Sequence, residues 1–329
     1  MKAIIITGDD FGLAVPVNEA IIQAHREGVL TTASLMMGSA HTHDAVERAR
    51  QNPSLKVGLH LVLVEGRPVL PPGTIPDLVD ATGAFSGDLV RTGFRYFFRP
   101  GVTEQLEAEV RAQFRAFCDT GLILDHANAH NHFHLHPTVL RLMVRVGKEF
   151  GLQAVRWPNE PPIRSWRASG KGLASRTASW IGLLPWLALM RRILRRAGIR
   201  SNDSLFGMAD SGAMTLEPAL RFVQNLPPGI TEMHFHPATR RCGEIDAAMP
   251  GYRHEDELRA LTSDRLLAAI ESNNFDVIVA LGFDGSVLSA EEQAPVCGWI
   301  RGGLGWVDLG VGRERPDAES AIRALSVAT

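Results

Sequence analysis

Short runs rich in β-branched and other apolar residues recur along this chain, each followed by a stretch with helical periodicity. This alternation limits the available folds more than any other feature of the sequence. The strand-like runs are Ala3 to Thr7, Thr32 to Met37, Lys56 to Val64, Leu122 to His130, Gln153 to Trp157, Ile230 to His236 and Phe275 to Leu281. Helical patterns lie at Val17 to Glu27, Thr42 to Gln51, Thr103 to Cys118, Thr138 to Phe150, Glu217 to Asn225 and Asp256 to Asn273. Several of these open on Pro or on a capping Thr or Asp. Such alternation builds a mainly parallel sheet. No Gly-x-Gly-x-x-Gly follows the first strand, so an α/β fold of the TIM-like (β/α) barrel type is expected rather than an open doubly wound sheet. Barrels routinely use a length of this order as one domain, and residues 1–329 are expected to form one.

Two stretches break the pattern. Arg67 to Pro100 is rich in Pro and Gly and predicts a long loop over one mouth of the barrel. Residues 156–200 carry ten basic side chains against one acid, Glu160, a local balance of +9 within a chain whose net charge is −2. Residues 160–205 are expected to be a helical insertion. Within it, Ile181 to Met190 is apolar and is followed by Arg191-Arg192-Ile193-Leu194-Arg195-Arg196, a combination suited to peripheral contact with anionic lipid through 181–196 and too short to span a bilayer. A barrel helix with a solvated Arg face is the competing reading. The basic stretch lacks a nucleic-acid-binding module and aromatic interleaving, so no nucleic-acid partner is expected. Cys118, Cys242 and Cys297 are far apart and show neither disulfide nor Cys-x-x-Cys zinc spacing. The N-terminus is too short in apolar residues and too acidic for a secretory signal. A cytoplasmic location is expected, peripheral at the inner face of the membrane if the 181–196 contact forms.

The residues that carry chemistry sit where strands are expected to end. Gly8-Asp9-Asp10-Phe11-Gly12 follows a buried run, and two adjacent acids there need a partner such as a divalent cation. Neighbours on a strand point to opposite faces, so one acid as ligand and one as base fits better than two ligands. His126, His130, His132, His134 and His136 share one parity, and an extended strand would place all five imidazoles on one face. One Asp, His60 of Gly58-Leu59-His60-Leu61 and one His of that cluster would make an open three-ligand metal site. An Asp-Asp helix cap and a core histidine are the bland readings of the first two motifs. Arg156 falls at the end of another strand and is assigned to orienting Asp9 or holding substrate; a surface ion pair explains it equally well. Glu160 has the same ambiguity.

Asp-Asp-Phe-Gly near the N-terminus, Gly-Leu-His-Leu near residue 60, the His-x-His-x-His run before Pro137 and Phe235-His236-Pro237 together resemble the YdjC-like carbohydrate deacetylases. The resemblance implies a barrel related to the polysaccharide deacetylases that removes N-acetyl groups from amino sugars with one divalent metal ion. It implies Asp10, His60 and His130 as ligands, Asp9 as general base and His236 as general acid, with His234 in reserve. Asn128, His132, Arg156 and Glu160 are carried as substrate-side residues. Asn128 and Asn131 depart from the family pattern, which has Asp and His there, and the missing carboxylate puts metal affinity in doubt. Two His ligands favour Zn2+, whereas the family allows Mg2+.

With the insertion, Gly66-Arg67-Pro68-Val69-Leu70-Pro71-Pro72 and Ser211-Gly212-Ala213-Met214, the chain most resembles a hopanoid-biosynthesis branch of that family. An N-acetylglucosaminyl hopanoid is then the implied substrate, and a homodimer is implied by analogy. The alternatives are a deacetylase of soluble chito-oligosaccharides, a metal phosphoesterase and a non-catalytic, metal-containing lipid or sugar carrier.

Overall fold

A computed structural model describes residues 2–273, 275, 277 and 278. The predicted strand from Phe275 thus lies outside the described residues from 279 onward, as does Cys297.

The buried run at the N-terminus forms β1 (Lys2–Phe11), whose Ile4, Ile5 and Ile6 are fully enclosed. The other strands are β2 (Thr32–Leu35), β3 (Lys56–Leu61), β4 (Ala127–Ala129), β5 (Ser204–Phe206), β6 (Gly229–Phe235) and β7 (Val277–Ile278). All their pairings are parallel, in the order β4-β3-β2-β1-β6-β5, with β7 beside β1. The sheet is curled. Single parallel bridges Ala127↔Val155 and Ala154↔Arg200 continue it past β4, where the sequence predicts a full strand at Gln153 to Trp157. The architecture is therefore an α/β fold with a curled parallel sheet, and the described strands do not complete an eight-stranded TIM barrel.

Helices α1 (Val15–Glu27), α2 (Thr42–Arg50), α3 (Leu89–Phe98), α4 (Pro100–Asp119) and α5 (Pro137–Glu149) cover the first half. α6 (Pro162–Ser169), α7 (Leu173–Ala197), α8 (Leu216–Gln224), α9 (Gly243–Ala248), α10 (His254–Leu261) and α11 (Asp264–Ser272) follow. Proline at the first turn of α4, α5 and α6 costs nothing, because that N–H has no helical acceptor. The pattern read as one helix over Asp256 to Asn273 is two, α10 and α11, with Ser263 between them capping the second by accepting from the Arg265 N–H.

Two expectations change. The stretch 67–100 is not one long loop: Pro72–Thr74 forms a 3-10 turn and α3 occupies 89–98. The buried Glu109 carboxylate ties the stretch down by accepting from the backbone N–H groups of Val69 and Leu70. The run leading into the histidine cluster is not a buried strand either, for Ile123 is 89% exposed and β4 spans only Ala127–Ala129.

Candidate functional site

The carboxyl end of β1 resolves the problem of two adjacent acids. Asp9 keeps strand geometry, but Asp10 has φ 62, and its carbonyl accepts from the Leu13 N–H at 2.9 Å. Asp tolerates this left-handed conformation better than most residues, though at a cost of about 1–3 kcal/mol. The turn brings both carboxylates into one buried network.

Asp10 faces two histidines. Its Oδ1 lies 3.2 Å from His60 Nε2 and 3.1 Å from His130 Nδ1, and those two nitrogens are 3.4 Å apart. His60 donates its Nδ1 proton to Asn128 Oδ1 at 2.7 Å, which turns its Nε2 toward Asp10 and His130. Three potential ligand atoms, Asp10 Oδ1, His60 Nε2 and His130 Nδ1, thus converge. Asp10 Oδ2 is buried with no hydrogen-bond partner. Burial opposes ionisation of Asp10, yet His130 and His60 hold its pKa well below the usual carboxylate range. The pKa of His130 is raised: burial works against its charge, and Asp10 outweighs it. Asp10, His60 and His130 could hold a divalent metal ion, and this donor set, with its fixed His60 tautomer and spare carboxylate oxygen, fits one.

Asp9 has different company. Arg156, which is fully buried, donates from Nη1 to Asp9 Oδ2 at 2.6 Å and from Nη2 to Oδ1 at 2.9 Å. The same guanidinium donates to Glu232 Oε1 from Nε (2.9 Å) and Nη2 (2.7 Å), and Thr7 Oγ1 donates to that oxygen at 2.8 Å. Burial resists the charge on Asp9, but Arg156 overrides it and keeps the carboxyl ionised, its pKa well below the ordinary value. Asp9, His234 and His236 form a second cluster with metal-like spacing. A cation there would meet the Arg156 guanidinium already seated on Asp9, so this trio suits proton transfer rather than a second metal.

The two histidines beyond Asp9 differ. Burial lowers both, but Arg156 opposes protonation of His234 and holds it well below its usual pKa, whereas the charges felt most by His236 are Asp10 and Asp9, which favour its protonated form. His236 is fixed through its backbone: its N–H donates to Glu257 at 2.6 Å and its carbonyl bonds His254 Nδ1 at 2.6 Å. Burial pushes the pKa of Glu257 up to about 7. Gly207, at φ 106, lets the chain after β5 pass over His234, since a Cβ there would fall 2.6 Å from the His234 carbonyl oxygen.

The five histidines do not share a face. Residues 130–135 form a 3-10 turn in which Asn131 and His132 adopt positive φ, so strand parity does not apply. Only His130 joins Asp10. His126 accepts from Ser34 Oγ (3.2 Å) and donates to Asp125 (2.8 Å), its ring filling the space left by the absent side chain of Gly58. His134 donates to the Arg156 carbonyl at 3.0 Å, and His136 bonds the Gly93 carbonyl at 3.0 Å. His132 lies edge-on to His234, 5.1 Å between ring centroids, and burial holds its pKa well below the usual value.

Of the residues assigned to the substrate side, Asn128 links the two acids, accepting from His60 and donating to Asp9 Oδ1 at 3.3 Å and Ser34 at 2.9 Å. Arg156 is no surface ion pair. Glu160 lies apart from both acids: it accepts from Ser165 and from the Ala209 N–H and sits near Arg176, which clasps Asp210. Glu232 escaped the sequence reading, although it has the strand parity of His234 and His236, the signal that would have found it. Ser34 and Glu257 carry no comparable signal.

A curled parallel sheet with an Asp–His–His cluster at its carboxyl end and an Arg-paired acid beside it defines an α/β protein with a candidate metal-centred site. The chain belongs to the YdjC-like protein family, whose model matches residues 3–272. It is 39% identical over 155 residues to a protein of Brevibacillus brevis named carbohydrate deacetylase, a match covering 47% of this chain and 59% of that one. A second so named, from Oceanobacillus iheyensis, is 39% identical over 145 residues, covering 44% and 60% respectively. The chain thus spans about three fifths of the length of these two relatives. A Thermoanaerobacter pseudethanolicus protein of the same name is 23% identical over 274 residues, 83% of this chain and 96% of that one. A crystal structure from Enterococcus faecalis, described provisionally as a cellobiose-phosphate cleavage protein, aligns with TM-score 0.65 and 25% identity over 85% of this chain and 97% of that one.

The link through Asn128 gives a prediction. Asn128→Asp places a carboxylate against Asp9, so the Asp9 pKa should rise and the acid limb of the pH–rate profile should move to higher pH, while His60 becomes a stronger donor. Metal titration and a kcat/KM profile check both. An unmoved acid limb with tighter metal would remove Asp9 from the proton chemistry.

Proposed function

We propose that this protein is a metal-dependent hydrolase that removes the N-acetyl group from an amino sugar. The observation that carries this reading is the pair of adjacent, buried carboxylates with opposite surroundings: Asp10 among imidazoles with a free oxygen, Asp9 clamped by Arg156. In the Mg2+- or Zn2+-loaded protein Asp10, His60 and His130 would be the ligands, and the metal would supply Lewis acidity toward water and the acetamide oxygen. Asp9, ionised at neutral pH, takes the proton of the attacking water. Arg156 fixes its orientation, at some expense in basicity. His236 gives a proton to the departing amine, which would otherwise leave as an amide anion. Its resting pKa is low, and negative charge developing beside it favours the protonated form. A two-metal phosphoesterase fits less well, because the second cluster already contains a guanidinium.

The substrate we favour is lipid-linked, an N-acetylglucosaminyl hopanoid, with the protein cytoplasmic and in peripheral contact with the membrane. A cavity of about 380 Å3 supports an aglycone; Pro158, Trp180, Leu183, Leu187 and Met208 form its apolar wall, and Glu160, Lys171, Arg176 and serines line the rest. Pro158 lies two residues beyond Arg156, and Met208 follows the Gly207 that packs on His234. The 181–196 segment is not lipid-facing throughout: Leu187, Met190 and Leu194 are buried, and Arg191 stacks 4.3 Å over the Trp157 ring.

Acetate release from N-acetylglucosaminyl hopanoid and from diacetylchitobiose tests the reading. Leu183→Glu should raise KM for the lipid by about tenfold or more by putting a charge in the apolar wall, and leave the soluble sugar unaffected. Equal loss on both substrates removes the aglycone role; no acetate from either, at full metal occupancy, removes the deacetylase.

A further inference from the structure

α3 turns an aromatic face outward. Val90, Phe94, Phe97 and Phe98 are 70%, 63%, 52% and 67% exposed, with Phe98 stacked on Phe94 (6.0 Å between centroids) and edge-on to Phe97 (4.8 Å). The inner face is well seated: Thr92 and Tyr96 are buried, and the Tyr96 hydroxyl donates to the Leu63 carbonyl at 3.0 Å. The exposed rings are thus not a poorly packed core. Arg91 and Arg99 accompany them, whereas Arg95 turns inward over the Tyr96 ring, and Asp88, the acid at the helix start, is engaged in capping the Arg91 N–H.

α3 stands at the carboxyl end of the sheet. Leu63 follows the end of β3, and the Gly93 carbonyl is bonded by His136, which closes the turn holding His130. α7 is anchored at the same end by two tryptophans: Trp157 donates to the Leu187 carbonyl and Trp180 to Asn159, both at 3.0 Å. This part of α7 exposes Ile181, Leu184 and Trp186. Two helices at the end that holds the Asp9 and Asp10 site therefore present apolar side chains, those of α3 beside the exposed Arg91 and Arg99.

We infer that the carboxyl end of the sheet docks on an anionic phospholipid surface, with Phe94, Phe97 and Phe98 of α3 as its principal anchor and the exposed residues of α7 as a second. Aromatic rings enter the boundary between headgroups and acyl chains, and guanidinium groups at their edge hold lipid phosphates. A second copy of this chain suits the face less well, because a symmetric contact would oppose the α3 arginines of both copies. The inference deepens the lipid-linked reading, since docking would bring the site to a substrate carried in the bilayer.

The test is flotation of the full chain with substrate-free vesicles, of phosphatidylcholine alone or mixed in equal amounts with phosphatidylglycerol. The protein should float with the mixed vesicles, and added salt should weaken this. The double variant Phe94→Ser/Phe98→Ser, which spares Phe97 because its ring packs on His136, should bind at least about tenfold more weakly, with an unchanged melting temperature and an unchanged rate on diacetylchitobiose. Absence of binding by the unmodified chain, or equal binding by the variant, overturns the inference. So does a dimer, seen by sedimentation without lipid, that the substitutions convert to a monomer. The vesicles contain no substrate, so failed docking and failed deacetylation are distinguishable.

Discussion

Asp9→Asn should lower kcat on an N-acetylated amino sugar by about a thousandfold, within the ~10²–10⁴ range typical of a lost general base, while the protein still binds one divalent ion. The separation is possible because the two acids share a turn but have different partners. Asp10 keeps its contacts with His60 and His130 in this variant, so metal binding should persist, whereas Asp10→Asn should release the metal and abolish turnover together. The amide at position 9 presents one acceptor and one donor to the two guanidinium N–H groups that Asp9 accepts in parallel. A fall in melting temperature is therefore expected, and rates should be compared where both proteins are folded. Metal content by mass spectrometry and acetate release by a coupled assay are the two readouts. Full activity in Asp9→Asn would exclude Asp9 as the base.

What the sequence revealed of this site was residue type and position along the chain, and what it hid was backbone direction. A carboxylate pair after a buried β-branched run and a histidine after Gly58 are legible because such groups are costly to bury without a partner. Strand parity separated Asp9 from Asp10, and the two do have different partners, though Asp10 leaves strand geometry with φ 62; it also aligned five histidines that a 3-10 turn disperses. Both deviations are positive-φ conformations of non-glycine residues, which propensity does not predict. Glu232 was legible by the parity rule that linked His234 and His236, because β6 is regular to its end. The same contrast holds for the fold: parallel alternation could be read directly, but the extent to which the sheet closes depends on the 153–156 and 200–206 segments, whose pairing is partly single bridges. α3 was concealed by the Pro and Gly around it.

Arg156→Leu should destabilise the protein by about 3–5 kcal/mol at pH 7, the cost usual for breaking a buried ion pair by removing one partner. The leucine fills part of the space, but Asp9 and Glu232 are left buried without the one guanidinium they share, and Glu232 Oε2 already lacks a partner. The pH dependence gives a second signature with a definite sign. In the unmodified protein the Asp9 pKa is depressed, so its contribution to stability is fully present above the ordinary carboxylate range and is lost only as pH falls through the lower folded value. Without Arg156, burial dominates and the folded pKa of Asp9 moves above its unfolded value; the folded state then binds more protons, and stability falls as pH rises. The destabilisation measured by urea unfolding should accordingly be smaller at pH 5 than at pH 7. Neutralising the acids as well, in Arg156→Leu/Asp9→Asn/Glu232→Gln, should recover much of the loss, since no unpaired charge remains buried. A loss below about 1 kcal/mol in the single variant, the range of an exposed pair, would mean that water reaches Asp9 and that Arg156 is dispensable for holding it.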